Sequence, residues 1–90
     1  MLRQQYKHLL RNLFSGRLRQ FRGEAQLTQE QMAEYLCVAP RSYADLEQGK
    51  YGCSGLTMIR LLILLGDNEA LRLIHAAEQQ MNEADHHDAA

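Results

Sequence analysis

Two polar side chains near the middle of the sequence, those of Arg41 and Gln29, have the chemistry to contact a nucleic acid. An arginine guanidinium can donate two hydrogen bonds to O6 and N7 of guanine, the most common specific contact to a base edge. Gln29 follows Thr28, a typical helix N-cap, and an amide in a first helical turn lies beside free backbone N–H groups that suit a phosphate. Two simpler interpretations stay open: an ordinary capping-turn residue for Gln29 and a solvated surface arginine for Arg41.

No combination of residues is typical of catalysis or of a metal site. Ser42 and Ser54 have no histidine close in sequence and no nucleophile-elbow motif. Cys37 and Cys53 are not closely spaced, and we expect reduced packing residues rather than a disulfide or a metal pair. We therefore expect no enzyme activity, no metal, no cofactor and no small-molecule ligand.

The composition of the 90 residues favours one all-α domain. Hydrophobic residues make up 46% of the chain and aromatic residues 7%. A sandwich of short strands would need more turn-forming residues, and the chain has a single proline. The N-terminal part is basic and the C-terminal part acidic, so the basic part could meet a polyanion, although two ordinary solvated helix faces explain the same pattern. No apolar run approaches membrane-spanning length and no secretory signal is recognisable, so we expect a cytoplasmic protein without membrane contact.

Apolar spacing and capping residues predict the first three helices. Apolar residues between positions 6 and 21 recur at steps of three and four, which predicts one long helix or two helices that meet near Ser15–Gly16. Thr28 and Gln31 have the spacing of a capping box at the start of a second helix. Pro40 suits the first turn of a third helix that ends at about Gln48.

The C-terminal half predicts two more helices and the limits of the domain. The fourth runs from Leu56 to Leu65, and the fifth begins near Asp67 with an apolar stripe at Leu71, Ile74, Ala77 and Met81. Helical spacing also predicts a set of core residues on the second and third helices: Met32, Tyr35, Leu36, Tyr43 and Leu46. We expect one domain over residues 1–82 and a flexible acidic tail over 83–90.

Four stretches of the sequence resemble the phage-repressor/Cro (XRE-type) family: Leu18–Arg22, Leu27–Val38, Tyr43–Lys50 and Ser54–Gly66. They occur in the order and spacing of that family over about Leu13 to Asp67. The resemblance implies a five-helix, lambda-repressor-like fold, here with an extended N-terminal helix. It places a helix-turn-helix at about 28–48 and a recognition helix at about 40–48 that would enter the major groove of double-stranded DNA.

The resemblance also implies roles for individual residues. Gln29 matches a glutamine that contacts a phosphate and braces a side chain of the recognition helix. Arg22 and Glu47 match a buried ion pair between the first helix and the end of the third, which we assign to structure because an unpaired buried charge would cost several kcal/mol. The implied DNA-binding residues are Thr28, Gln29, Pro40, Arg41, Ala44, Asp45, Gln48 and Lys50. Of these, Pro40, Arg41, Ala44 and Asp45 fall where the recognition helix of the family faces base edges, and Gln48 and Lys50 fall where the chain that leaves this helix meets phosphates.

Several residues depart from the family pattern. Pro40 and Ala44 remove two hydrogen-bonding side chains from the base-reading face. Asp45 places a carboxylate where phosphates repel it, unless it accepts from a cytosine amino group or pairs with Arg41. Ala39 replaces the usual hydroxyl N-cap, a loss of about 1 kcal/mol.

Two turns lack the glycine that the family commonly has. Cys37 and Gln26 stand at these positions, and we expect a left-handed residue or a reshaped turn at each.

The resemblance implies a sequence-specific DNA-binding transcriptional regulator, in particular a repressor. The alternative is a protein-interaction module, or an antitoxin of the same family, that keeps the fold and uses the recognition face for a protein partner. The fourth helix is apolar on more than one face, so that Ile63 or Leu64 must point outward. This surplus apolar surface must be buried by the fifth helix or by another subunit, and we expect a homodimer through helices 4 and 5.

Overall fold

The structure is a computed structural model that describes the backbone of residues 3–89 and the side chains of residues 4–85. Over this range the chain forms five helices and no strand: α1 (Arg3–Ala25), α2 (Gln29–Leu36), α3 (Pro40–Glu47), α4 (Gly55–Leu65) and α5 (Asp67–Ala89). The predicted all-α, five-helix architecture with a long N-terminal helix is confirmed.

The first helix is continuous through Ser15–Gly16, which decides between the two arrangements that the sequence left open. A glycine inside a helix costs about 1 kcal/mol relative to alanine, too little to break a helix that packs along its length. Leu18 is fully buried, and Phe14 and Phe21 pack against the core from the turns on either side of it. Burial of this face therefore outweighs the weak helix propensity at the glycine.

Local capping interactions begin the two helices that follow. The Thr28 hydroxyl accepts from the Gln31 backbone N–H at 3.1 Å, and the Gln31 side chain accepts from the Thr28 N–H at 2.9 Å, so the predicted capping box is present. Pro40 occupies the first turn of α3, where its missing N–H has no intrahelical partner. Ala39, the N-cap of α3, contributes no side-chain hydrogen bond, as expected from the absent hydroxyl.

Both turns that lack the family glycine contain a left-handed residue. Gln26 has φ 57° and Cys37 has φ 58°. At the end of α2, the left-handed Cys37 lets the Val38 N–H donate to the Ala33 carbonyl at 3.0 Å. Of the two expected outcomes, a left-handed residue or a reshaped turn, both turns show the first. At Cys37 the hydrogen bonds of the turn are kept at the expense of an unfavourable backbone conformation.

Replacing Cys37 with glycine is expected to raise the free energy of unfolding by about 0.5–1 kcal/mol. A Cβ atom in the left-handed region costs about 1–2 kcal/mol, which the larger conformational entropy of glycine in the unfolded chain offsets only in part. Urea unfolding followed by circular dichroism measures the change. Cys37→Ala is the control, since it removes the thiol but keeps the Cβ. An equal gain in both variants would assign the effect to the thiol.

The core lies between α1 and the other four helices. Its fully or nearly fully buried apolar side chains come from all five: Leu18, Met32, Ala33, Leu36, Tyr43, Leu46, Leu61 and Leu73. Tyr43 and Leu46 are buried as predicted, but Tyr35 is 50% exposed, so its assignment to the core was wrong. Met32, Ala33 and Leu36 already fill the buried face of α2 and turn Tyr35 to its edge.

The last helix buries a different stripe from the predicted one. Leu73 is 1% exposed, whereas Leu71 and Ile74 are 53% and 50% exposed. The helix carries apolar residues on more than one face, and packing against α4 and α1 selects the face with Leu73. α5 also continues to Ala89 through the segment predicted as a flexible tail. Residue 90 and the side chains after Asp85 lie outside the described part, and the domain limit at 82 stays a prediction.

Candidate nucleic-acid interface

The two short helices α2 and α3 pack against each other across the turn Cys37–Ala39. Gln29 is the first residue of α2 and Arg41 is the second residue of α3, and both side chains are exposed. Thr28 directly precedes α2, with its hydroxyl engaged in the capping box. Each of the two polar side chains singled out in the sequence therefore lies in the first turn of its helix.

One face of α3 carries all four positions for which the resemblance implies base contacts. Pro40 and Arg41 are exposed, and Ala44 and Asp45, one turn further along, are half-buried. Residues four apart share a helix face, so these positions are brought together. The opposite face holds the buried side chains of α3: Tyr43, Leu46 and Glu47. One side of α3 is therefore anchored and the other is available.

The carboxylate of Asp45 pairs with Lys50, a partner that the sequence reasoning did not consider. The Lys50 Nζ lies 3.6 Å from Asp45 Oδ1, and the Lys50 backbone N–H donates to the Asp45 carbonyl at 3.0 Å. Gly49, with φ 77°, turns the chain back toward the helix at this point. Asp45 therefore neutralises part of the positive charge that Lys50 would offer to a phosphate.

An ion pair holds the C-terminal end of α3 to α1. The Arg22 guanidinium donates to both Glu47 carboxylate oxygens, from Nε at 3.0 Å and from Nη2 at 2.7 Å. Its Nη1 also donates to the Leu27 carbonyl at 3.3 Å, which ties the α1–α2 turn to the same group. The Glu47 side chain is 6% exposed and that of Arg22 is 29% exposed, so this pair, implied by the resemblance, is largely buried.

Opposing effects act on the acidity of Glu47. Burial alone raises its pKa, because it disfavours the charged form. The polar side chains of Arg22, Tyr43 and Gln29, together with the positive charge of Arg22, favour the carboxylate and lower its pKa below the ordinary value of 4.5. Burial meanwhile raises the pKa of the Tyr43 hydroxyl, which keeps its proton beside this carboxylate.

Two further arginines stabilise helix ends, and the sequence analysis did not find them. Arg19 Nη1 donates to the Glu47 carbonyl at 2.6 Å, in the last turn of α3. Arg60 Nε donates to the Tyr35 carbonyl at 2.9 Å, in the last turn of α2. Neither helix has a basic residue of its own in that turn, although a cation there is favourable to the helix dipole. The partners lie 28 and 25 positions apart, so no local sequence signal announces them.

A comparison with known protein families matches residues 13–73, more than half of the chain, to a helix-turn-helix domain. The chain belongs to this helix-turn-helix family. No curated protein and no solved structure matches the chain. Helix-turn-helix domains are DNA-binding domains in which the first helix crosses the DNA backbone and the second lies in the major groove. The matched residues of this helix-turn-helix domain include the whole of α2 and α3.

The remaining predicted contact positions of the helix-turn-helix domain lie where the chain leaves α3. Gln48 and Lys50 are both exposed, on either side of Gly49. A Cβ atom at Gly49 would lie 3.4 Å from Ser15 Oγ and 3.6 Å from Asn12 Oδ1, so this turn packs closely on α1. Close packing against a rigid helix positions the two polar side chains.

The described part of the helix-turn-helix domain contains no group of three or more side chains that could hold a metal ion. Cys37 and Cys53 are both free thiols, the first exposed and the second half-buried, and burial raises the pKa of Cys53. Between residues 3 and 89, no helix combines the length and the apolar character needed to cross a membrane.

Proposed function

We propose that this helix-turn-helix protein is a sequence-specific transcriptional regulator, a repressor of the phage-repressor/Cro type, that reads the major groove with the first turns of α3. The observation that carries the proposal is the division of α3 into an anchored face, held by the Arg22–Glu47 pair, and an exposed face with Arg41 in its first turn. A recognition helix needs this division, because one face must be fixed against the rest of the domain while the other stays accessible to the bases.

Five residues on or beside this surface have a role in the proposal. Arg41 reads a guanine, and Ala44 is small and apolar enough to contact a thymine methyl group. Gln29 contacts a phosphate from the first turn of α2, beside the free N–H groups of that helix. Gln48 and Lys50 contact phosphates where the chain leaves α3.

The test is a selection of duplexes from a genomic library at two salt concentrations, followed by titration of the selected sequence. A repressor of this type binds one sequence class preferentially, and its affinity falls steeply as salt rises, because phosphate contacts release counterions. Duplex binding without salt dependence, or no binding at all, would contradict the proposal. A stable complex with a protein in place of DNA would support the protein-interaction or antitoxin alternative.

We propose further that the protein acts in the cytoplasm as a homodimer through α4 and α5. Support comes from an exposed apolar stripe on α4, where Leu56, Ile59 and Ile63 are 68%, 56% and 74% exposed. Leu71 and Ile74 add half-exposed apolar side chains on α5. In a two-fold dimer, this surface of one protomer would pack against the same surface of its partner. The two α3 helices would then lie about 34 Å apart, one turn of DNA.

Sedimentation equilibrium at micromolar concentration tests the dimer. Ile63→Lys is expected to shift the wild-type dimer toward monomer without loss of helix content, because it places a charge at the most exposed residue of the apolar stripe. Gln79→Lys, at an exposed polar position of α5, is the matched control and should remain dimeric. A monomeric wild-type protein would refute this assembly.

Replacing Asp45 with asparagine is expected to tighten duplex binding by roughly 3- to 10-fold at low salt. The change removes a negative charge near the DNA and releases Lys50 from its ion pair. A 3- to 10-fold change in affinity is the size expected for a partly exposed charge, roughly 1 kcal/mol. Fluorescence anisotropy with the selected duplex and with a scrambled one measures the effect. An equal gain on both duplexes indicates relief of phosphate repulsion. Weaker binding to the selected duplex alone would instead assign Asp45 to base reading.

A further inference from the structure

The N-terminal part of α1 lies outside the residues that match the helix-turn-helix family. The match begins at residue 13, whereas α1 begins at Arg3. This segment, residues 3–12, is called the α1 extension below. The Tyr6 hydroxyl donates a hydrogen bond to the carboxylate of Asp85, so the α1 extension is held to the C-terminal part of α5. Its side chains are therefore carried on a fixed support.

The α1 extension runs beside the loop that leaves the recognition helix. A groove of about 310 Å³ separates them, lined by Lys7, Leu10, Arg11, Phe14, Gly52 and Cys53. A Cβ atom at Gly52 would lie 3.9 Å from both Cγ and Nε of Arg11, so the arginine lies against the loop itself. Lys50 and Tyr51, both exposed, belong to the same loop. The basic side chains of the α1 extension thus border the segment where phosphate contacts are proposed.

Helical register explains why these cations face the loop. Lys7, Arg11 and Leu18 are four and seven residues apart and share one helix face, and Leu18 is fully buried in the core. The helix face that is buried in the core at Leu18 continues toward the N-terminus, and at Arg11 and Lys7 the core no longer covers it. There it borders the α3–α4 loop.

No acidic side chain that the structure describes neutralises Lys7 or Arg11. The sequence contains no Asp or Glu before Glu24. Neither Lys7 nor Arg11 forms an ion pair with any residue whose side chain is described. Arg17, on another face of the same helix, lies 3.9 Å from Glu69. Among the side chains of residues 4–85, the positive charge of α1 is therefore unpaired on the side that faces the loop and paired on the side that faces α5.

We propose that Lys7 and Arg11 bind DNA phosphates next to those contacted by the α3–α4 loop, so that the α1 extension lengthens the contact of each protomer along the DNA backbone. This inference rests on the proposed function. The two side chains are one helical turn apart and hydrogen-bond or pair with phosphates, which carry no sequence information. They contribute affinity and salt dependence, and leave the discrimination between sequences to α3.

The experiment measures the slope of log affinity against log salt concentration for the double variant Lys7→Ala/Arg11→Ala. Each phosphate contact contributes about 0.9 to the slope, so the loss of two contacts lowers it by about 1.8 per bound protomer. The ratio of affinities for the selected and scrambled duplexes is expected to stay within about 2-fold of wild type, because phosphate contacts carry no sequence information. Hydroxyl-radical footprinting should lose protection at the outer edges of the site.

Two control variants separate contact from general charge. Arg17→Ala/Arg72→Ala removes the same net charge from cations near Glu69, and its slope should equal that of wild type. Lys7→Arg/Arg11→Lys keeps both charges and should also keep the slope. Equal slope losses in the two alanine variants would overturn the inference, since long-range attraction would then explain both.

The inference and the proposed function fail in different ways. Salt-dependent duplex binding with an unchanged slope in Lys7→Ala/Arg11→Ala would overturn the role of the α1 extension and leave the regulator intact. Loss of sequence discrimination in this variant would assign the residues to base reading rather than phosphates. Absence of duplex binding by the wild-type protein would overturn both. Circular dichroism of each variant verifies that the helices are retained.

Discussion

Replacing Arg22 with alanine is expected to lower the free energy of unfolding by about 2–3 kcal/mol at pH 7. The change leaves the Glu47 carboxylate, 6% exposed, without its bidentate partner. Removal of one partner from a fully buried pair costs about 3–5 kcal/mol, and the value is lower here because the Arg22 side chain is 29% exposed and water can reach the vacated position. Urea unfolding measures the loss, with Arg17→Ala as the control for a longer ion pair on the same helix, at 3.9 Å, whose acidic partner Glu69 is exposed.

The loss in Arg22→Ala should depend on pH in a direction that the environment of Glu47 dictates. In the wild type the pKa of Glu47 is lowered, so its stabilisation is present above about pH 4.5 and disappears as the pH falls through the lowered value. In the variant, burial without the arginine raises this pKa, and the penalty is largest at neutral pH and absent once the carboxyl is protonated in both states. The difference between the two proteins should therefore shrink from pH 7 to pH 4. A difference that is constant over this range would contradict the ion-pair explanation.

Replacing Arg41 with alanine is expected to weaken binding to the selected duplex by about 10- to 100-fold, the value of a bidentate contact to guanine. Binding to a scrambled duplex should change far less, because phosphate contacts dominate there. Arg41→Lys is expected to recover part of the affinity, since lysine keeps the charge but lacks the planar fork. Anisotropy titrations with both duplexes at one salt concentration give the two affinities.

The control for Arg41→Ala is Arg72→Ala, which removes an exposed arginine from α5. It should leave both affinities unchanged. If Arg41→Ala weakens both duplexes equally, Arg41 is a phosphate contact, and the reading of bases must come from other residues of α3. The Arg22→Ala and Arg41→Ala results are independent, because the first is measured on the free protein and the second on the complex.

Features of the fold that depend on neighbours within about four residues could be predicted from the sequence. The capping box of Thr28 and Gln31, the start of α3 at Pro40 and the left-handed residues at Gln26 and Cys37 are of this kind. Each is set by whether a nearby side chain can satisfy a backbone group or tolerate a backbone conformation. The order of the helices follows from the same local chemistry repeated along the chain, whereas packing decided that α1 is one helix and not two.

The choice among apolar faces could not be predicted, because it depends on which helix lies opposite. Leu73 is buried while Leu71 and Ile74, also apolar, are half-exposed, and Tyr35 is turned away from the core. Periodicity shows that a helix has an apolar face but cannot rank two such faces on one helix. Their burial is decided when the helices pack.

By itself, the sequence determined that the chain is all-helical, where its helices begin, and that its second and third helices form a helix-turn-helix pattern with Arg41 and Gln29 in their first turns. Only the tertiary structure decided that Arg19 and Arg60 stabilise the ends of α3 and α2, that Asp45 holds Lys50, and that Arg11 lies against Gly52. The physical reason is the distance along the sequence between the interacting residues. A capping hydrogen bond joins residues three apart, whereas the partners of Arg19 and Arg60 meet only after folding has brought distant parts of the chain together.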